Sequence, residues 1–358
     1  MIFEGKQLRV SIFGQSHAPA VGVVITGLPA GLPVDEERLR SFLSRRAPGQ
    51  GKHTTARKEA DLPEFLSGLT DGVTCGAPVC IVFRNADTRS GDYEALRDIP
   101  RPGHADYPAS VRYGGHQDVR GGGAFSARLT APLCAAGGIA LQWLEAREVY
   151  VGAHALEIAG VADEPLNPMT AGEADFRRIL ANGFPTLDAG AGQCMLEAIE
   201  SARQAGDSVG GVVECAAAGL PVGIGGPLFE GLESALAAAL FAIPAVKGVE
   251  FGEGFRAARL RGSENNDPYR MRDGKVSVTS NHAGGLLGGM TDGAPLLLRA
   301  AFKPTPSISL PQESVSLSRG GDAELVIRGR HDPCVVPRAV PVVEAAVALV
   351  LADRMMGG

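Results

Sequence analysis

The chain of 358 residues is 45% hydrophobic and 21% charged, a globular balance that excludes a disordered or collagen-like protein. A net charge of -6 with 5% aromatic residues argues against a non-specific nucleic-acid binder. No apolar run of about 18 residues occurs and the N-terminus lacks a secretory pattern, so a cytoplasmic protein without a membrane partner is expected.

In chain order, LRVSIFG (8–14) and VGVVITGLP (21–29) read as strands rich in β-branched residues. A helix follows, with Asp35 as its cap, Glu36 and Glu37 in its first turn, and Leu39, Phe42 and Leu43 as its apolar stripe. From Arg38 to Lys58 the sequence carries seven basic residues and no acid. Such a run is usually a solvated face, but in an acidic chain it equally suits an anion site. The six cysteines (Cys75, Cys80, Cys134, Cys194, Cys215, Cys334) lack CxxC or zinc-type spacing, so free thiols are expected and no metal.

Two halves of the chain echo each other. VGVVITGLPAG (21–31) resembles GGVVECAAAGLPVG (210–223), and GLTDGVTCGAPVCIVFR (68–84) resembles GMTDGAPLLLRAAFK (289–303). Each half then reaches an arginine-histidine element and an Ala/Val-rich helix, at about 127–146 and 338–355. The expectation is one catalytic domain over 1–358, of α+β class, with helices packed on antiparallel sheets. It would contain a pseudo-two-fold duplication of about 8–150 and 206–355, joined by a connection over about 151–205 whose segment 160–205 carries one or two helices. A cleft between the halves would gather residues 14–58, 101–128, 281–307 and 330–332.

Four segments join glycine to groups that bind anions or move protons. Gly14-Gln15-Ser16-His17 ends a strand, and Arg101-Pro102-Gly103-His104-Ala105-Asp106 offers a carboxylate that can orient the imidazole. Arg120-Gly121-Gly122-Gly123-Ala124-Phe125-Ser126-Ala127-Arg128 leads into a helix with Ser126 as cap, a place where free N–H groups meet an anion. The fourth is composite: Ser280-Asn281-His282-Ala283-Gly284-Gly285, Lys303-Pro304-Thr305-Pro306-Ser307 and Arg330-His331-Asp332. A single histidine of this kind is more often structural than catalytic; four such segments together propose two anionic ligands and several proton-transfer groups.

The segments GQSHAPAVGVVITGLPAG, RRAPGQGKHTTARKEAD, RPGHADY, RGGGAFSARLTA, AVKGVEFG, SNHAGGLLGG, KPTPSI and GRHDPCVVPRAVPVVEA resemble those of the chorismate synthases, in the same order. The resemblance implies a lyase of the shikimate pathway that makes chorismate from 5-enolpyruvylshikimate 3-phosphate by anti-1,4-elimination of phosphate. It also implies reduced FMN without net redox change, and a homotetramer. Ser16, Arg46, Lys52, Arg101, Arg128 and Arg330 would bind substrate, with His17, His104 and Asp332 catalytic. FMN would touch Ala124, Phe125, Ser126, Pro244, Ala245, Gly288, Lys303, Pro304, Thr305, Pro306, Ser307 and Arg330. This sequence departs from the family pattern at Gln15, Ala18, Lys52, Ala124, Pro244 and Pro306, which touches affinity more than proton transfer.

Two other readings compete. A Rossmann or flavodoxin-like oxidoreductase lacks its GxGxxG fingerprint here, so NADPH is not expected to reduce flavin without an external flavin reductant. A glycine-rich oligomeric scaffold would bind no flavin at all.

Overall fold

The computed structural model describes residues 1–49, 61–85, 96–327 and 332–357. Two five-stranded antiparallel sheets organise the chain. The first has the order Ile2–Glu4, Arg9–Gly14, Ala20–Thr26, Val79–Arg84, Glu64–Ser67. The second has the order Val246–Phe251, Leu296–Phe302, Gly211–Ala218, Tyr150–Ile158, Val161–Ala162. Helices Thr130–Glu145 and Val336–Met356 pack together and, with the inner sheet faces, make the main core. The second of these helices is apolar on nearly every side because it is buried on nearly every side.

The class is thus α+β, with helices on antiparallel sheets. The strand expected over 21–29 stops at Thr26. Gly27 there turns left-handed (φ 92°), and a Cβ on it would lie 1.8 Å from the Gln7 carbonyl oxygen. Helix Glu36–Arg46 begins as expected, with the Asp35 side chain accepting from the Arg38 N–H at 3.0 Å. The stretch 151–205 carries the two helices expected within 160–205, but it is more than a connection. Strand Tyr150–Ile158 opens it and belongs to the second sheet; helices Glu173–Ala181 and Ala189–Gln204 follow.

The two GLP turns make the same hydrogen bonds. Thr74 Oγ1 donates to the Pro29 carbonyl at 2.7 Å and accepts from the Leu32 N–H at 2.9 Å. Thr291 Oγ1 donates to Pro221 at 2.6 Å and accepts from Ile224 at 2.9 Å. Each turn also bridges a hairpin, Pro33 to Val73 and Gly225 to Met290. The hairpin turns are Asp71-Gly72 and Gly288-Gly289, so the segment from Gly68 matches the one from Gly285, not GMTDG from Gly289 as the letters suggest. Among the described residues no helix is long and apolar enough to cross a membrane.

Candidate functional site

The site is built around three consecutive left-handed glycines, Gly121, Gly122 and Gly123, with φ of 57°, 84° and 53°. A Cβ on Gly121 would lie 2.4 Å from His17 Cε1 and 2.6 Å from Ser16 Oγ, and one on Gly122 would lie 3.2 Å from His104 Nε2. Bare backbone is therefore the wall between the two histidines, and side chains there would fill the space both face. The Ser16 N–H donates to the Gly123 carbonyl at 3.1 Å, fixing the Ser16-His17 loop to the triplet. Ser126 Oγ accepts from the Arg128 N–H at 3.2 Å, capping the short turn Ala127–Leu129 ahead of the long helix.

On the Gly122 side, His104 Nδ1 is 2.6 Å from Asp106 Oδ1, so Asp106 orients the ring as expected. Arg101 donates to Asp106 through Nε at 2.7 Å and Nη2 at 2.9 Å, and to Ser307 Oγ through Nη1 at 3.1 Å. Burial alone would raise the Asp106 carboxyl, but the Arg101 and His104 hydrogen bonds outweigh it and hold the group well below the carboxylate range. Each nitrogen of Arg101 thus engages protein. Its place is beside His104 and Ser307. Lys303 Nζ donates to the Gly103 carbonyl at 2.5 Å, and burial, then Lys247, lowers the affinity of its amine for a proton.

On the Gly121 side, Arg46 and Arg128 are both buried and both pair with one carboxylate, Asp61. Burial raises the Asp61 carboxyl, but Arg46 and Arg128 outweigh it and keep it ionised. Arg338 pairs with Asp332 and donates from Nε to the Arg46 carbonyl at 2.9 Å, which brings Asp332 to the same cluster.

Of the basic run, only Arg46 among the described residues enters this site. Arg38 pairs with Glu145, Arg40 with Glu36, and Arg45 with Glu344 beside a cavity of about 230 Å³ that lies away from the histidines. Pro244 and Ala245 lie next to Lys303, whose N–H donates to the Ala245 carbonyl at 3.0 Å; Ala245 itself is left-handed (φ 74°). Ala124 and Phe125 are exposed on the rim of the triplet. Pro304 and Thr305 follow Lys303, and Pro306 lies against Gly103.

Within the chain, the segment 281–289 lies apart from Lys303. Gly288 turns a hairpin that precedes strand Leu296–Phe302, whereas Lys303 follows that strand, a separation of about 20 Å for seven residues. Lys52, Arg330 and His331 lie outside the described residues. Asp61, Asn85 and Arg338 were not singled out from sequence. A signal existed for the first, because buried arginines demand a counter-ion and Asp61 is an acid that closes the basic run.

The family model described as chorismate synthase matches residues 8–356. The chain is 49% identical over 352 residues to a chorismate synthase of Korarchaeum cryptofilum, covering 98% of this chain and 96% of that one. It is 50% identical over 353 residues to one of Thermococcus kodakarensis, covering 98% and 97%. A crystal structure of a chorismate synthase superposes with a TM-score of 0.77 at 26% identity, covering 98% of this chain and 92% of that one. With near-complete coverage on both sides, the chain belongs to the chorismate synthase family and is a lyase.

Proposed function

We propose that this chain converts 5-enolpyruvylshikimate 3-phosphate to chorismate, as the last step of the shikimate pathway, with reduced FMN bound and no net redox change. The observation that carries this reading is the pair His17 and His104 on adjacent glycines, flanked by the Arg46–Asp61–Arg128 cluster. In the elimination, the C–O bond to phosphate and a ring C–H bond break and a new double bond forms. The phosphate leaves with its electron pair, and a proton is released from the ring.

Residues near the triplet fit FMN. Thr305 Oγ1 is buried with no hydrogen-bond partner among the described residues, and Lys303 stands beside it in sequence with an ammonium group. A phosphate-bearing ligand suits both. Ala124, Phe125, Ser126, Pro244, Ala245 and Lys303 to Ser307 would hold it. When bound, reduced FMN would supply an electron-rich ring that lends charge as the phosphate leaves, which eases a C–H cleavage too difficult for a polar base alone.

The chain's own residues do the rest. Arg46 and Arg128 draw in the anionic groups of the substrate, and His17 holds the proton that the departing phosphate takes. His104 keeps one orientation because Asp106 fixes Nδ1, which leaves Nε2 directed at Gly122. Asp332, steadied by Arg338, accepts the proton released from the ring.

The same reading includes a cytoplasmic homotetramer, one catalytic domain per chain, and an external flavin reductant. It also includes a duplication of 8–150 and 206–355, supported by the equivalent hydrogen bonds of Thr74 and Thr291. Superposing the two sheets with Thr74 on Thr291 tests the last point. The activity is tested by counting product per flavin anaerobically with dithionite-reduced FMN, then with NADPH and oxidised FMN. Many turnovers are expected in the first case and none in the second. One product per flavin, or turnover on NADPH alone, overturns the reading.

A further inference from the structure

We propose that Asp61 is a positioning residue for the substrate, a single buried carboxylate that holds Arg46 and Arg128 at one fixed separation. The inference rests on the substrate reading above. Arg46, Asp61 and Arg128 are only 2%, 4% and 4% exposed. Each guanidinium takes a different oxygen of Asp61, Oδ2 for Arg46 and Oδ1 for Arg128.

Two guanidiniums in a dry site repel one another, and a carboxylate with one oxygen for each is the smallest group that bridges them. Their outer ends are tied as well. Arg46 Nε donates to Thr130 Oγ1 at 3.0 Å, whereas Arg128 Nε donates to Asn85 Oδ1 at 2.9 Å. Asn85 Nδ2 in turn donates to the Ala18 carbonyl at 2.7 Å, beside His17. Arg338 joins the Arg46 backbone to Asp332. Asp61 is therefore the middle link of a chain that runs from the His17 loop to Asp332. Moving it shifts both arginines relative to both proton-transfer groups.

An amide at this position keeps one acceptor oxygen and turns an NH₂ donor toward the other guanidinium, so one arm breaks and is repelled. In Asp61→Asn, the substrate KM and the Kd for inorganic phosphate should both rise about 10–100-fold, the scale of misplaced binding groups. FMN affinity should stay within about threefold and kcat should fall much less than KM rises, since the flavin contacts lie on the Lys303 side.

Asp61→Glu keeps both oxygens but displaces them by a methylene, and should raise KM by about 3–10-fold with FMN unaffected. This second variant decides the matter if the amide variant does not fold. Parent-like KM in either variant, or equal weakening of FMN and phosphate, overturns the positioning role. Arg46→Ala and Arg128→Ala separate the two levels. If they weaken substrate while Asp61→Asn does not, only this inference falls; if neither moves KM, the substrate reading falls with it.

Discussion

His104, near the glycine triplet, and His154, on strand Tyr150–Ile158 of the second sheet, each stand against a carboxylate linked to an arginine, and the two clusters end differently. His154 is fully buried, with Nδ1 2.9 Å from Asp163 and Nε2 3.1 Å from Glu214. Glu214 also accepts from the Leu166 N–H at 2.7 Å and Arg299 Nε at 2.9 Å, and Asp163 from the N–H groups of Leu187 and Asp188 at 2.6 and 2.9 Å. Two acceptor-only carboxylates require both ring nitrogens to donate, so this imidazole is a cation. Burial alone would lower its pKa, but Asp163 and Glu214 outweigh that and raise it.

His104 has Nδ1 on Asp106 and Nε2 3.3 Å from Arg101 Nη2, yet it keeps 15% of its side chain exposed beside a backbone without side chains. Of the two, only His104 stays open to solvent on one side and so can meet a ligand. Around His154 such groups instead clasp the segment 163–188 onto the second sheet.

The sharpest way to break this contrast is to close the open side. Gly121→Ala places a methyl within 2.6 Å of both His17 and Ser16 and should lower turnover by about 10²–10⁴-fold, the worth of a general acid, while FMN stays bound. Single-turnover kinetics and the flavin absorbance measure the two effects. Gly160→Ala is the control, since Gly160 is also left-handed (φ 81°) but has nothing within 4 Å of its would-be Cβ. Parent-like turnover in Gly121→Ala would remove His17 from the chemistry.

The closed cluster should respond in the opposite way. His154→Ala leaves Asp163 without its cation and Glu214 with Arg299 alone, and should cost about 3–5 kcal/mol in denaturant unfolding, with turnover per folded molecule unchanged. Its pH dependence has a definite sign. With a folded pKa raised above the ordinary 6.5, His154 gives its full contribution below that value and loses it as pH rises through the folded value. The stability gap between parent and His154→Ala should therefore narrow on the alkaline side. Asp61 and Asp106, whose folded values are depressed, contribute above about 3.8 and lose stability as pH falls through the folded values. A gap that widened with rising pH would mean that His154 is neutral in the folded chain.

The smallest effect belongs to the solvated part of the basic run. Arg40 and Glu36 form an exposed pair one helical turn apart, so Arg40→Ala should cost about 0.3–0.5 kcal/mol and leave substrate KM unchanged. Thermal unfolding and steady-state kinetics check both. A raised KM would show that the outer face of this helix also steers the substrate.

The sequence alone carried whatever is local in the chain. Asp35 capping its helix, Ser126 ahead of Arg128, the glycine triplet and the His104–Asp106 pair all act within a few residues, where spacing and residue type decide geometry. What it could not carry is which groups distant in the chain become neighbours. Arg45 and Arg46 are adjacent, yet successive helical positions point about 100° apart, so one meets Glu344 and the other Asp61. The SNHAGG and KPTPS segments both carry polar groups that suit an anion, but a strand of seven residues puts them at its opposite ends. Asp61 and Asn85 acquire their partners, and His154 its two carboxylates, only once packing excludes water around them. Burial turns an ordinary surface charge into one that must find a counter-ion, and burial is a property of the folded chain.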